Sequence, residues 1–152
     1  MRHLIPHFIQ EQFDQRSLHN SLQAYVMFVD LSGFTPLTET LMGKGGRGAE
    51  ELSLILKDIF EPLVEVVYTH GGFIPYYAGD AFTAIFPQSE EIDANIFMNA
   101  ALSVRDLFKQ RSYKFGAFKI GVKIGLSYGT VDWGIVGRYH RAFYFRGTPV
   151  QQ

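Results

Sequence analysis

The chain has no cysteine. That excludes disulfides and thiolate metal sites, and it fits a cytoplasmic protein. No apolar run reaches the ~18 residues that a membrane span needs. The N-terminus lacks the long apolar stretch of a secretory signal, so no membrane partner is expected. Net charge is nearly absent: 14 Lys and Arg stand against 15 Asp and Glu. There is thus no bulk electrostatic case for a nucleic-acid partner. Internal repeats and low-complexity tracts are also missing. What is plentiful is apolar and aromatic side chains, 47% and 15% of 152 residues. That is enough to close the core of one domain without staples.

Residues 1–23 mix apolar and polar types, with Leu4, Ile5, Phe8, Ile9 and Phe13 at roughly helical spacing. They read as an arm or a short helix ahead of a domain at 24–152. Ala24 to Val29 is a short continuous apolar run, the pattern of a strand buried on both faces, and it ends at Asp30. Thr35 and Pro36 read as an N-cap and a first-turn proline. Gly43 to Gly48 reads as a loop. From Ala49 to Thr69, apolar residues recur at i, i+3, i+4 and i+7, so a long helix is predicted. Pro62 is a potential kink, and His70-Gly71-Gly72 is the stop. Phe73 to Ala78 and Ala81 to Phe86 are short apolar strands around Gly79-Asp80, a tight hairpin. A helix over 92–111 follows, then strands at 119–127, 131–136 and 142–145. This order implies an α+β fold, a mainly antiparallel sheet with helices packed on one face.

Asp30 ends a buried strand and Asp80 sits at a hairpin tip. If the two strands are neighbours, both carboxylates reach one sheet edge, where they repel unless cations lie between them. Hard oxygen ligands suit Mg2+ or Mn2+, and Mg2+ commonly shares its shell with substrate phosphates. After Asp30, Leu31 to Thr35 turn the chain into a helix N-terminus. Gly33 leaves room there for a ligand, and free N–H groups attract phosphate. In outline this is a nucleoside-triphosphate site. Taken singly, each Asp is better explained by an ordinary turn or cap, and only the pair in context points to metal.

Other motifs carry less. Gly43, Gly45 and Gly48 match G-x-G-x-x-G, but a helical segment precedes them where a dinucleotide fold needs a strand. Gly125, Ser127 and Gly129 match the hydrolase elbow, but a strand follows where a helix is required. His3 and His7 are four apart, but Pro6 disrupts the helix that a metal pair would want, so they read as surface residues. Trp133, Tyr139, Phe143 and Tyr144 read as core or dimer packing.

Phe28-Val29-Asp30-Leu31-Ser32-Gly33-Phe34-Thr35 resembles the first metal motif of class III adenylyl and guanylyl cyclases. Gly71-Gly72 followed by Ala78-Gly79-Asp80-Ala81 resembles the second, and the separation of the two aspartates is similar to the family's. Lys123 to Gly129 and Phe145 to Val150 resemble later motifs. Gly48-Ala49-Glu50 is similar to the bicarbonate-responsive soluble type.

The resemblance covers about residues 24 to 152 and implies a ferredoxin-like palm and a two-metal mechanism. Asp30 and Asp80 would hold two Mg2+ or Mn2+ ions, with the Leu31 carbonyl completing one shell. Backbone N–H groups of Gly33, Phe34 and Thr35 would take the terminal phosphates of a nucleoside triphosphate, ATP or GTP. Lys123 is either a phosphate-binding cation or an exposed strand lysine.

The family's active site lies between two domains, so the implied partner is a second cyclase domain, in the same parent chain or as a homodimer. Two departures stand out. Tyr76 occupies the position of the base-selecting lysine, which is also the lysine linked to bicarbonate control. Gln151 stands where the last motif has asparagine. The chain therefore reads as the metal-carrying half of an asymmetric pair, cut from a longer protein and with little activity alone. The rival reading is a pseudo-cyclase that dimerises and regulates. A diguanylate cyclase is disfavoured, since its Gly-Gly-Asp/Glu-Glu-Phe hairpin is absent.

Overall fold

The computed structural model describes residues 5–111, 113–137 and 140–151. Helix α1 (His7–Asp14) leads into strand β1 (His19–Ser32), followed by α2 (Phe34–Met42) and α3 (Gly46–Thr69). Strands β2 (Phe73–Ala78) and β3 (Ala81–Pro87) form a hairpin, and α4 (Ala94–Arg111) follows. A two-residue ladder, β4 (Lys114–Phe115) and β5 (Phe118–Lys119), precedes β6 (Gly121–Val136), β7 (Ala142–Arg146) and a 3-10 turn at Thr148–Val150. The main sheet has the order β2-β3-β1-β6-β7, and all its pairings are antiparallel.

β1 is the spine of this sheet, pairing with β3 on one side and β6 on the other. Alternate residues of a strand point to opposite faces, and β1 uses both. Met27, Val29 and Leu31 join Phe82, Ala84 and Phe86 of β3 on the face covered by helices. There α3 supplies Ile55, Ile59, Leu63 and Val67, every fourth residue, and α4 supplies Phe97, Ala100, Ala101 and Val104. On the other face Ala24 and Val26 meet Phe73, Ile85, Val131, Trp133 and Phe145, with Ile9 of α1 closing this second core. Phe8 of α1 stacks on Phe73 at 5.4 Å between ring centroids. Helices α2 to α4 therefore lie on one face, while α1 caps one end of the other.

Several boundaries differ from those read in the sequence. β1 starts five residues before Ala24, because His19 to Gln23 continue the ladder against Gly134 to Thr130 without needing an apolar run. The segments expected at 119–127 and 131–136 largely merge into the single 16-residue strand β6. α2 begins at Phe34 with Gly33 as its N-cap, so Thr35 lies inside the first turn. α3 begins at Gly46. Gly48 lies in its first turn, where a Cβ would overlap the Leu41 carbonyl of α2. α3 continues through Pro62. α4 begins at Ala94, where the Asp93 carboxylate accepts the Ile96 N–H at 2.9 Å, a side-chain cap.

Leu4, His3 and Tyr139 lie outside the described residues. His7 is exposed and pairs with Glu11 at 2.9 Å. Trp133 is fully buried in the second core, with Phe143 packed against it. Among the described residues no helix is long and apolar enough to cross a membrane.

One core residue is imperfectly satisfied. Tyr113 is 6% exposed and its ring packs on Phe108, yet its hydroxyl has no hydrogen-bond partner among the described residues. A buried unsatisfied polar group costs about 1–3 kcal/mol. Tyr113→Phe should therefore stabilise the protein by ~1 kcal/mol, raising Tm by about 2–4 °C for a domain of this size. Thermal unfolding of the two proteins checks this; a lower Tm in the variant contradicts it.

Candidate functional site

The β2–β3 turn is a two-residue loop whose first member, Gly79, has φ +62°. A glycine at the first central position is the type II′ signature, whose twist matches that of the flanking strands. The turn places Asp80 immediately before Ala81, and Ala81 is the cross-strand partner of Asp30. Paired Cα atoms in such ladders lie about 4.5–5.5 Å apart, so the two aspartates share one edge of the sheet. The Leu31 N–H donates to the Asp80 carbonyl at 3.0 Å, which ties hairpin tip to strand end. In an antiparallel strand a residue's N–H and C=O point to the same side. The Leu31 carbonyl is therefore also directed to the hairpin edge.

Both aspartates are half-buried. Neither carboxylate makes a hydrogen bond or ion pair among the described residues. On the other flank Lys123 of β6 stands directly opposite Asp30, on the same face of the sheet, and is exposed. The next row on that face runs Tyr76, Thr83, Phe28, Gly125. Phe28 is 37% exposed, so the face is apolar and open beside the carboxylates.

Beyond Ser32 the chain turns sharply. Gly33 has φ +77°, and a Cβ built on it would lie 2.5 Å from the Lys119 carbonyl oxygen. Gly33, expected from the sequence to leave room for a ligand, also has a packing reason, since β5 fills that space. Phe34 is 4% exposed and anchors the start of α2 in the core, whereas Thr35 is exposed. The first-turn N–H groups of α2 have no intrahelical acceptors and directly follow the Asp30 strand. The structure thus brings Asp30, Leu31, Asp80, Gly33, Phe34, Thr35 and Lys123 to one end of the sheet. Among the described residues no three His, Cys, Asp or Glu side chains cluster. A cation here would take two carboxylates and a carbonyl, leaving coordination positions for other oxygens.

Tyr76 behaves differently. Its hydroxyl accepts the Phe145 N–H at 2.6 Å and donates to the Phe145 carbonyl at 3.2 Å. Nothing local in the sequence marks this contact, which joins residues 69 apart. Beyond Phe145 the 3-10 turn is seated on β6: the Ser127 hydroxyl donates to the Pro149 carbonyl at 2.8 Å. Ser127 lies within a strand, so no nucleophile elbow exists. Gly43 and Gly45 lie between α2 and α3 and Gly48 in the first turn of α3, so a helix and not a strand precedes them.

The family model described as adenylate and guanylate cyclase catalytic domain matches residues 18–151. Adenylate cyclase type 10 of Homo sapiens is 34% identical over 128 residues, covering 81% of this chain and 8% of that protein. The chain thus spans a small part of this curated relative. Among solved structures, a bacterial light-regulated adenylyl cyclase superposes with a TM-score of 0.76 at 21% identity, covering 96% of this chain and 43% of the other. The adenylyl cyclase CyaB from P. aeruginosa superposes with a TM-score of 0.67 at 21% identity, covering 87% and 69%. At such identities the superpositions speak for the fold: the sheet and its helices form the palm seen in these proteins.

Proposed function

This chain belongs to the adenylate and guanylate cyclase catalytic-domain family, and on that premise we propose that it is the cation- and phosphate-holding half of a nucleotide cyclase site. The observation that carries the reading is the pair Asp30 and Asp80, brought to one end of the sheet by strand register and without side-chain partners among the described residues. Two adjacent carboxylates that make no ion pair among the described residues fit Mg2+ or Mn2+. Asp30, Asp80 and the Leu31 carbonyl would hold two such ions. When bound, they would activate the attacking oxygen and offset charge on the phosphates.

The reaction turns a nucleoside triphosphate into a 3′,5′-cyclic nucleotide. The substrate 3′-oxygen, losing its proton, bonds to the α-phosphorus as the bond to the bridging oxygen breaks and pyrophosphate leaves. The chain's own groups orient this transfer. N–H groups of Gly33, Phe34 and Thr35 receive the terminal phosphates, and Lys123 steadies them from the neighbouring strand. ATP is the proposed substrate, in keeping with the adenylate cyclases among the relatives. The catalytic half starts at β1, with α1 as its arm. A second cyclase domain, from the same parent chain or a second copy, covers the open face and supplies base recognition.

The engaged hydroxyl of Tyr76 favours a second reading, a regulatory domain that binds nucleotide without turnover. Cyclic nucleotide formation from ATP and from GTP, with Mn2+, by the full parent protein separates the two. Product is expected, from ATP foremost. A folded sample that binds Mn2+ and nucleotide but forms no product would establish the regulatory reading instead.

A further inference from the structure

Tyr76 and Phe145 sit on opposite edges of the sheet, β2 and β7, with three strands between them. The sheet curves enough for these edges to approach on the face of the second core. An edge strand leaves backbone N–H and C=O groups without ladder partners. At Phe145 both are taken by one phenol, at 2.6 and 3.2 Å. A tyrosine hydroxyl has a single proton to donate, and here it is directed to the Phe145 carbonyl. Phe73, on the same strand as Tyr76, packs on the Phe145 ring at 5.3 Å between centroids, a second link between the edges.

The hairpin that carries Asp80 needs such support. Among the described residues β2 pairs only with β3, and its register shifts between Phe73 and Tyr76. Only Tyr76, Tyr77 and Ala78 remain in register before the turn. We infer that Tyr76 is a positioning residue, a clamp across the two sheet edges that holds the Asp80 hairpin against β7, and not a reader of the nucleotide base. This rests on the reading of Asp30 and Asp80 as the cation site. Base selectivity then belongs to the partner domain.

The test compares the full parent protein with its Tyr76→Phe variant, which keeps the ring and removes the hydroxyl. Three quantities are read: amide hydrogen exchange at Phe145, Mn2+ affinity by titration, and the ratio of cyclisation rates on ATP and GTP. Exchange at Phe145 should accelerate. Mn2+ affinity should fall about three- to tenfold, the effect of one hydrogen bond. The ATP to GTP ratio should hold within twofold, and kcat at saturating Mn2+ should change less than KM. Unchanged exchange would remove the clamp. Faster exchange with unchanged Mn2+ affinity would show that the clamp does not reach the site. A tenfold shift in the nucleotide ratio would make Tyr76 a base reader after all. Exchange and Mn2+ titration do not need turnover, so an inactive wild type would count against the cyclase reading and leave the clamp measurable. A wild type that binds no Mn2+ would overturn the coupling to the site.

Discussion

Asp80→Asn in the full parent protein should reduce cyclic nucleotide formation at least ~100-fold, equivalent to about 3 kcal/mol of transition-state stabilisation. The variant is chosen to leave the fold alone. Asn suits a turn as well as Asp does, and the bond between the Leu31 N–H and the residue-80 carbonyl uses backbone atoms only. What changes is charge: one of two neighbouring carboxylates becomes neutral, and a cation loses an anionic ligand. Thermal unfolding adds a readout independent of turnover. Without cation, the wild-type carboxylates repel each other, so the variant should be at least as stable. With Mn2+ at 100 times its dissociation constant, the wild type should gain about 2.7 kcal/mol, and the variant should gain little. A variant within tenfold of wild-type activity, or one stabilised equally by Mn2+, would remove Asp80 from the cation site.

Much of this site is readable in advance because it depends on short-range rules. A glycine-led two-residue turn between apolar runs fixes the hairpin, and the apolar run before Asp30 fixes a central strand. Once these strands pair, the two aspartates must converge. The α3 helix is equally legible, since Ile55, Ile59, Leu63 and Val67 mark one face at constant spacing. Polar strand ends are not. His19 to Gln23 are held mainly by pairing with β6, with Leu22 alone packed on the second core, so no hydrophobic pattern announces them. The start of α2 misleads for a similar reason: Thr35-Pro36 has the chemistry of a cap, but the positive φ at Gly33 begins the helix earlier. The Tyr76–Phe145 link depends on how far the whole sheet coils, a sum over many residues that no local pattern encodes.

Gly33→Ala should destabilise the protein by about 2–4 kcal/mol, lowering Tm by ~5–15 °C. Two costs combine. The first is conformational: at φ +77° an L-residue pays roughly 1–2 kcal/mol. The second is steric, because the new methyl would lie 2.5 Å from the Lys119 carbonyl oxygen. A flexible side chain could yield, but this is backbone. Lys119 pairs with Lys114 in the β4–β5 ladder, and the next residue, Ile120, donates its N–H to the Tyr113 carbonyl at 2.9 Å. Moving the carbonyl therefore disturbs the approach to β6, so relief would come by displacing the start of α2, against the resistance of buried Phe34. Gly116→Ala measures the conformational part alone, since Gly116 also has a positive φ, +62°, but nothing within 4 Å of its would-be Cβ. That variant should lose only about 1 kcal/mol. Equal losses would mean that backbone conformation alone requires Gly33. A larger loss at Gly33, with weakened nucleotide binding in the protein that remains folded, would show that contact with β5 sets the position of the phosphate-facing helix end.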